Sequence, residues 1–330
     1  MIADIEELSS AEAIERVVEF MSTLPTENGW NSFQPLRLYE GFWTFPHFLE
    51  SIILAQHRFK PKPGDIFLCS APKSGTTWLK ALSFAIVTRN LYDTSNSPLL
   101  TKGPHHCVPN MVGFEYKPDV RQPGIPLIPT HAPYHCLPKS VLGSDDVKVV
   151  YICRDPKDAF VSMFHFAANR RPKENEHIAI EEAFELFCLG RSVFGPAWDH
   201  ILGYWKASQE RPEKVMFLKY EELMNDSELY VKKLAEFIGY PFSFEEEQGG
   251  VVKKLIDLCS FENLSNLDVN KTGKRHEDDD EATNKTFFIK GKVGDWQNHL
   301  TPEMANRLDN IVEQKLSGTG LSFELNNGSS

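Results

Sequence analysis

Apolar residues along this chain recur with two different periods. At Ile14, Val17, Val18 and Met21 they fall at i, i+3, i+4 and i+7, one face of a helix, and Pro25 and Gly29 close that segment. The same spacing returns at Trp198/Ile201/Leu202/Trp205, Val231/Leu234/Ala235/Ile238 and Val252/Leu255/Ile256/Cys259. Gly239 and Pro241 stop the second of these. Thr301-Pro302-Glu303 supplies an N-cap, an N1 proline and an acidic first turn for a last helix ending near Ser317-Gly318. Between the helical stretches lie short continuous apolar runs at 66–69, 147–153 and 215–218, the mark of strands buried on both faces. Strands alternating with helices predict an α/β fold with a central, mostly parallel sheet flanked by helices.

No Pro/Gly/Ser-rich linker or internal repeat interrupts the pattern. Residues 1–330 are therefore expected to form one domain, with 1–60 a helical and aromatic segment packed on it. Its aromatic residues (Trp30, Phe33, Tyr39, Phe42, Trp43, Phe45, Phe48) read either as core and surface cover or as one wall of an aromatic acceptor pocket. Between Leu91 and Ile128, nine prolines or glycines predict a long irregular loop, the kind that serves as a lid or substrate wall. The acidic run 276–281 reads as a solvated mobile loop with no fixed geometry for a metal.

Composition adds three limits. The 330 residues are 41% hydrophobic and 25% charged, which is globular. A net charge of −11 argues against nucleic acid and anionic membrane as partners. It leaves an anionic small ligand open, because distant surface charges are screened beyond about 10 Å. The six cysteines (69, 107, 136, 153, 188, 259) form no CxxC pair, the first seven residues lack an apolar signal core, and no run reaches membrane-span length. A reduced, cytoplasmic protein without disulfides or zinc is expected.

Candidate chemistry concentrates in the run Cys69-Ser70-Ala71-Pro72-Lys73-Ser74-Gly75-Thr76-Thr77-Trp78. A buried strand here feeds a helix expected over 76–89. Such a turn aims open backbone N–H groups and the positive helix end at one point, an anion site. Gly75 permits close backbone approach, Lys73 adds a point charge, and Thr76 and Thr77 can donate to oxygens. The lysine precedes the glycine, so this is not a Walker A loop.

The stretch PKSGTTW resembles the phosphosulfate loop of the cytosolic sulfotransferases, which move a sulfonate from 3′-phosphoadenosine 5′-phosphosulfate (PAPS) to a hydroxyl of a small molecule. That resemblance implies a P-loop-like strand–loop–helix in which Lys73, Ser74, Gly75, Thr76, Thr77 and Trp78 bind the nucleotide. It runs from Tyr39-Glu40-Gly41-Phe42-Trp43 to Gly320-Leu321-Ser322-Phe323, and Cys259-Ser260-Phe261-Glu262-Asn263-Leu264 and Lys271-Thr272-Gly273 are similar to its plant branch.

A second anion site is expected where strand 147–153 ends. Arg154-Asp155-Pro156 reads as strand end, N-cap and N1 proline, with Ser162 about two turns into the helix. On the residues alone, Arg154 grips either a phosphate or a nearby carboxylate such as Asp155 or Asp158. RDPKDAFVS resembles the family's 3′-phosphate motif, which implies the phosphate for Arg154 and Ser162. A third site lies at Ile289-Lys290-Gly291-Lys292-Val293-Gly294-Asp295-Trp296, similar to the family's RKGxxGDW. Ile289 stands where that motif has arginine, so cofactor affinity is expected to fall by about ten- to a hundredfold unless Lys290 or another cation compensates. Tyr220 resembles an adenine-contacting tyrosine, and Cys259-Ser260-Phe261 the segment whose aromatic lies on adenine, so Trp78 and Phe261 would flank the base.

His131 closes a short apolar stretch, 125–130, as Thr130-His131-Ala132-Pro133. A histidine at a strand end is either structural or a proton acceptor with a near-neutral pKa. The family carries its catalytic histidine in this context, which implies His131 as base and Lys73 as the cation on the transferring group. Pro129 stands where many relatives have a second lysine. His105, His106 and His135 have no such context and are expected in loops or on the surface. The implied reaction is in-line displacement at sulfur with PAPS as co-substrate and no metal, since the leaving group is already a stabilised phosphate. The acceptor would be a flat apolar or aromatic metabolite of flavonoid, steroid or hormone type. Two alternatives remain at this level: a catalytically weakened PAPS-binding homologue and a P-loop nucleotide kinase.

Overall fold

The computed structural model describes residues 5–30, 34–111, 121–169, 178–274 and 283–323. Four parallel strands form the central sheet in the order β5 (Leu127–Thr130), β4 (Ile66–Ser70), β6 (Lys148–Cys153), β7 (Val215–Lys219). An antiparallel sheet of β1 (Thr26–Glu27), β2 (Leu36–Tyr39) and β3 (Phe42–Thr44) stands beside it. Sequence patterning missed this sheet because its strands have only two to four residues.

β4 is buried at all five positions and splits its side chains by period two. Phe67 and Cys69 enter the apolar layer shared with Phe160, Ile201 and Leu308, while Ile66 and Leu68 enter the opposite layer with Leu82, Leu234 and Leu255. Helices Pro46–Arg58, Pro156–Asn169, Ala197–Glu210 and Pro302–Leu316 cover the first face; Thr76–Thr88, Ser227–Phe237 and Val251–Cys259 cover the second. Pro129 costs the sheet little because β5 is an edge strand.

The predicted helix ends are capped as their residues allow. Ser9 and Glu12 form a reciprocal capping box on helix Ser10–Ser22, and the Thr301 hydroxyl accepts the Met304 N–H at 3.2 Å. The long loop expected over 91–128 is less irregular than its composition suggested: it contains one-turn helices Leu99–Lys102 and Pro104–Cys107. Pro104 starts a helix at N1 rather than breaking one. Phe33 and the acidic run 276–281 lie outside the described residues.

From β4 the chain goes to β5 on one side and then returns to β6 on the other. That reversal opens a crevice at the carboxyl ends of β4 and β6, where α/β sheets of this kind bind ligands. Loop 71–75 and Arg154 follow those two strand ends directly.

Candidate functional site

A cavity of about 630 Å³ opens over this crevice. It is lined by His131, Lys73, Gly75, Thr76, Thr77, Trp78, Arg154, Ser162, Tyr220, Cys259, Ser260, Phe261, Ile289, Lys290 and Gly291. Ser74 does not line it: it is buried, and its N–H bonds the Ala71 carbonyl at 3.3 Å.

Between β4 and the next helix the chain is pinched by Lys73 at φ 65° and Gly75 at φ 108°. A Cβ at residue 75 would lie 2.8 Å from the Tyr220 ring, so both the dihedral and the space demand glycine. The pinch brings the first-turn N–H groups of Thr76–Thr88 to the cavity. Thr76 braces it from behind, its hydroxyl 2.6 Å from that of Ser70. The Lys73 ammonium lies 4.4 Å over the Phe166 ring and 3.5 Å from the Thr286 carbonyl.

His131 is tied to the same strand end. Its Nδ1 is 2.7 Å from the Ser70 carbonyl oxygen, which can only accept. Nδ1 therefore carries the hydrogen, and in the neutral ring Nε2 holds the basic lone pair. The backbone behind it is braced by buried groups absent from the sequence motifs. His200 Nε2 donates to the His131 carbonyl at 2.9 Å, and the Tyr151 hydroxyl meets His200 Nδ1 at 2.9 Å. Tyr204 donates to the Ala132 carbonyl at 2.7 Å. Burial pulls the His200 pKa down to about 4, so this brace stays neutral at physiological pH.

Arg154 is buried beyond β6. Its guanidinium donates to the Lys292 carbonyl at 2.6 Å, pairs with Asp158 at 3.4 Å and lies 4.9 Å over the Tyr220 ring. Its Nε is buried without a hydrogen-bond partner, a donor that an anion in the cavity would satisfy. Of the two sequence readings of Arg154, the carboxylate partner is present and holds the arginine at the cavity wall. The Asp158 carboxylate also accepts the N–H groups of Gly294 (2.8 Å) and Trp296 (3.0 Å), clamping loop 289–296 against the arginine. Tyr220 donates to the Gly291 carbonyl at 3.2 Å. Gly291 sits at φ 62°, where a Cβ would meet the Phe261 ring at 2.4 Å, so the loop backbone lies flat on that ring. Lys290, the nearest cation to Ile289 in the motif, lines the cavity and is paired. Its ammonium is 2.8 Å from Asp295 and the side chain is 47% exposed.

Ser260 spends its hydroxyl on capping helix Phe261–Asn266, accepting the Asn263 N–H at 3.1 Å. Burial raises the Cys259 thiol pKa well above its ordinary value, so Cys259 is a neutral wall residue. Trp78 and Tyr220 meet edge to face at 5.5 Å.

The lining also has an apolar part, made by Trp30, Phe45, Phe48, Met163, Phe166 and Phe194. Backbone bonds between Trp43 and residues 194 and 195 lock β3 to this wall. The aromatic segment therefore divides: Tyr39 and Phe42 pack into core, Phe45 lines the cavity, and Trp30 and Phe48 do both.

His105 departs from its expected place in a loop or on the surface. It lines the cavity, with Nε2 3.0 Å from the Thr77 hydroxyl and Nδ1 3.2 Å from the Lys80 ammonium. Lys80 is fully buried. A lysine inside the apolar run Trp78–Val87 was the available signal, because lysine is seldom buried without a partner. His135 is exposed and meets the Glu40 carbonyl at 3.0 Å.

The family model described as "Sulfotransferase domain" matches residues 63–320. Cytosolic sulfotransferase 17 of Arabidopsis thaliana is 50% identical over 307 residues, 92% of this chain and 88% of its own length. Flavonol 4'-sulfotransferase of Flaveria chlorifolia is 49% identical over 93% of this chain and 97% of its own. Among solved structures, a mouse sulfotransferase complexed with PAP, adenosine 3′,5′-bisphosphate, superposes with a TM-score of 0.65 at 28% identity, covering 86% of this chain and 95% of that one.

Proposed function

This chain belongs to the sulfotransferase family, and we propose that it transfers a sulfonate from PAPS to the hydroxyl of a flat, largely apolar aromatic metabolite. PAPS is a substrate here, regenerated elsewhere, and leaves as PAP. The observation that carries the reading is the hydrogen bond from His131 to the Ser70 carbonyl. It leaves the lone pair on Nε2 of a histidine that lines the cavity at the strand end before loop 71–75, which supports its use as the base.

In this scheme the acceptor oxygen attacks sulfur as the S–O bond to the 5′-phosphate breaks, and His131 takes the hydroxyl proton. Lys73 and the N–H groups at the start of helix Thr76–Thr88 stabilise charge on the sulfonate and the leaving phosphate. Arg154, Ser162 and loop 289–296 hold the nucleotide's other phosphate, and Trp78, Tyr220 and Phe261 its base. The unpartnered Nε of Arg154 and the flat approach of Gly291 to Phe261 fit such a ligand. The apolar part of the lining favours a planar acceptor, in keeping with the flavonol named for one relative. We place the protein in the cytoplasm with its cytosolic relatives, and treat 1–330 as one catalytic domain.

Calorimetric titration with PAP tests the reading. Wild type should bind with a Kd of about a micromolar or tighter, and Ile289→Arg about tenfold more tightly. Binding seen only in the arginine variant would mean a decayed site. No binding by either would overturn the assignment.

A further inference from the structure

We propose that Lys80 and His105 are positioning residues that fix the Thr77 hydroxyl as a donor toward the sulfonate-bearing end of PAPS. The inference rests on the PAPS-dependent reading and assigns the cavity a polar element that none of its three sequence motifs contains.

The direction of the chain follows from its innermost member. The fully buried Lys80 ammonium has three hydrogens and no acceptor, so its contact with His105 Nδ1 at 3.2 Å requires that nitrogen to accept. The neutral ring must then carry its hydrogen on Nε2. Nε2–H donates to the Thr77 oxygen 3.0 Å away. With its oxygen occupied as acceptor, Thr77 has its own hydrogen to give to a ligand oxygen. Each bond in the series polarises the next, so the hydroxyl presented to the cavity is a stronger donor than an isolated threonine.

The series is also held in place. Thr77 and Lys80 are three residues apart on helix Thr76–Thr88 and share a face. Lys80 also donates to the Asn110 side-chain oxygen. His105 lies on the one-turn helix Pro104–Cys107 with its ring 4.0 Å from that of Phe287. Met111 just beyond bonds the Pro129 carbonyl of β5 at 2.9 Å, which ties the segment to the sheet edge. Thr77, His105 and Asn110 line the cavity; Lys80 stands behind them.

The test is steady-state kinetics with PAPS and the flavonol quercetin, beside calorimetry with PAP. His105→Phe keeps the ring contact with Phe287 and removes both polar atoms. It should lower kcat/KM for PAPS about tenfold, with KM for quercetin unchanged. His105→Gln, whose oxygen can accept from Lys80 while its amide donates to Thr77, should recover most of that loss. Lys80→Met should match His105→Phe. In a Thr77→Val background His105→Phe should cost less than about twofold, because the series no longer has an end. The proposal fails if His105→Phe stays within about twofold of wild type, or costs as much with Thr77→Val as without it. Should Lys80→Met fold poorly, the His105 pair decides alone. A wild type that binds neither PAPS nor PAP would overturn the functional reading itself, whatever the variants do.

Discussion

The two anion-holding regions of the cavity are built in opposite ways. The first, from β4 through loop 71–75 into helix Thr76–Thr88, is one continuous stretch whose donors are mostly backbone. The second joins Arg154 to loop 289–296, more than 130 residues away in sequence, and depends on the Asp158 carboxylate to hold both. They also act on different atoms. In the proposed scheme the first faces the group that is transferred, the second a phosphate that stays unchanged. Interactions that strengthen only in the transition state change kcat, whereas those equal in both states change affinity. The first region should therefore set rate and the second affinity.

Lys73→Met is the largest expected break. Removing the cation from the transferring sulfonate should lower kcat by roughly 10²–10³-fold while PAP, which has no sulfonate, binds within a few-fold of wild type. Next comes Arg154→Met, which should raise the Kd for PAP and the KM for PAPS by about ten- to a hundredfold with kcat little changed. If both variants lost kcat and affinity in the same proportion, the division of labour would be wrong.

The smallest effect on chemistry is expected at the brace behind His131, where the signal appears in stability. Unfolded, His200 takes a proton near pH 6.5; folded and buried, it resists until about 4. Between those values the unfolded chain binds more protons, so stability is fully present above pH 6.5 and falls as the pH drops toward 4. The loss from this group should reach about 2 kcal/mol by pH 5. Urea unfolding of wild type and His200→Gln at pH 7 and 5 checks it: the variant should lose less stability between the two.

The same contrast explains what was legible in the sequence. The loop Lys73–Trp78 and the strand before it are contiguous, so their spacing carries their geometry. β4, β6 and β7 were visible for the same reason, within a residue at each end, while the helical periods marked their helices but not every boundary: the pattern at 198–205 lies inside Ala197–Glu210. Arg154 was visible, but its choice between phosphate and carboxylate was not, because Asp158 serves both the arginine and a distant loop. That Lys290 pairs with Asp295 is likewise something a motif cannot show. His105 looked like a loop residue because its partners, Thr77 and Lys80, lie 25–28 residues earlier in the chain. The aromatic segment at 30–48 could not be divided between core and pocket until β3 was locked beside residues 194 and 195.

The most direct measurement is transfer of labelled sulfonate from PAPS to quercetin in the presence of a chelator, by wild type and His131→Ala side by side. The account predicts turnover by wild type, a loss of kcat of about 10²–10⁴-fold in the variant, and PAP binding retained in both. Variant turnover within a few-fold of wild type would remove His131 as the base, and a wild type inactive only with chelator would contradict a reaction that needs no metal.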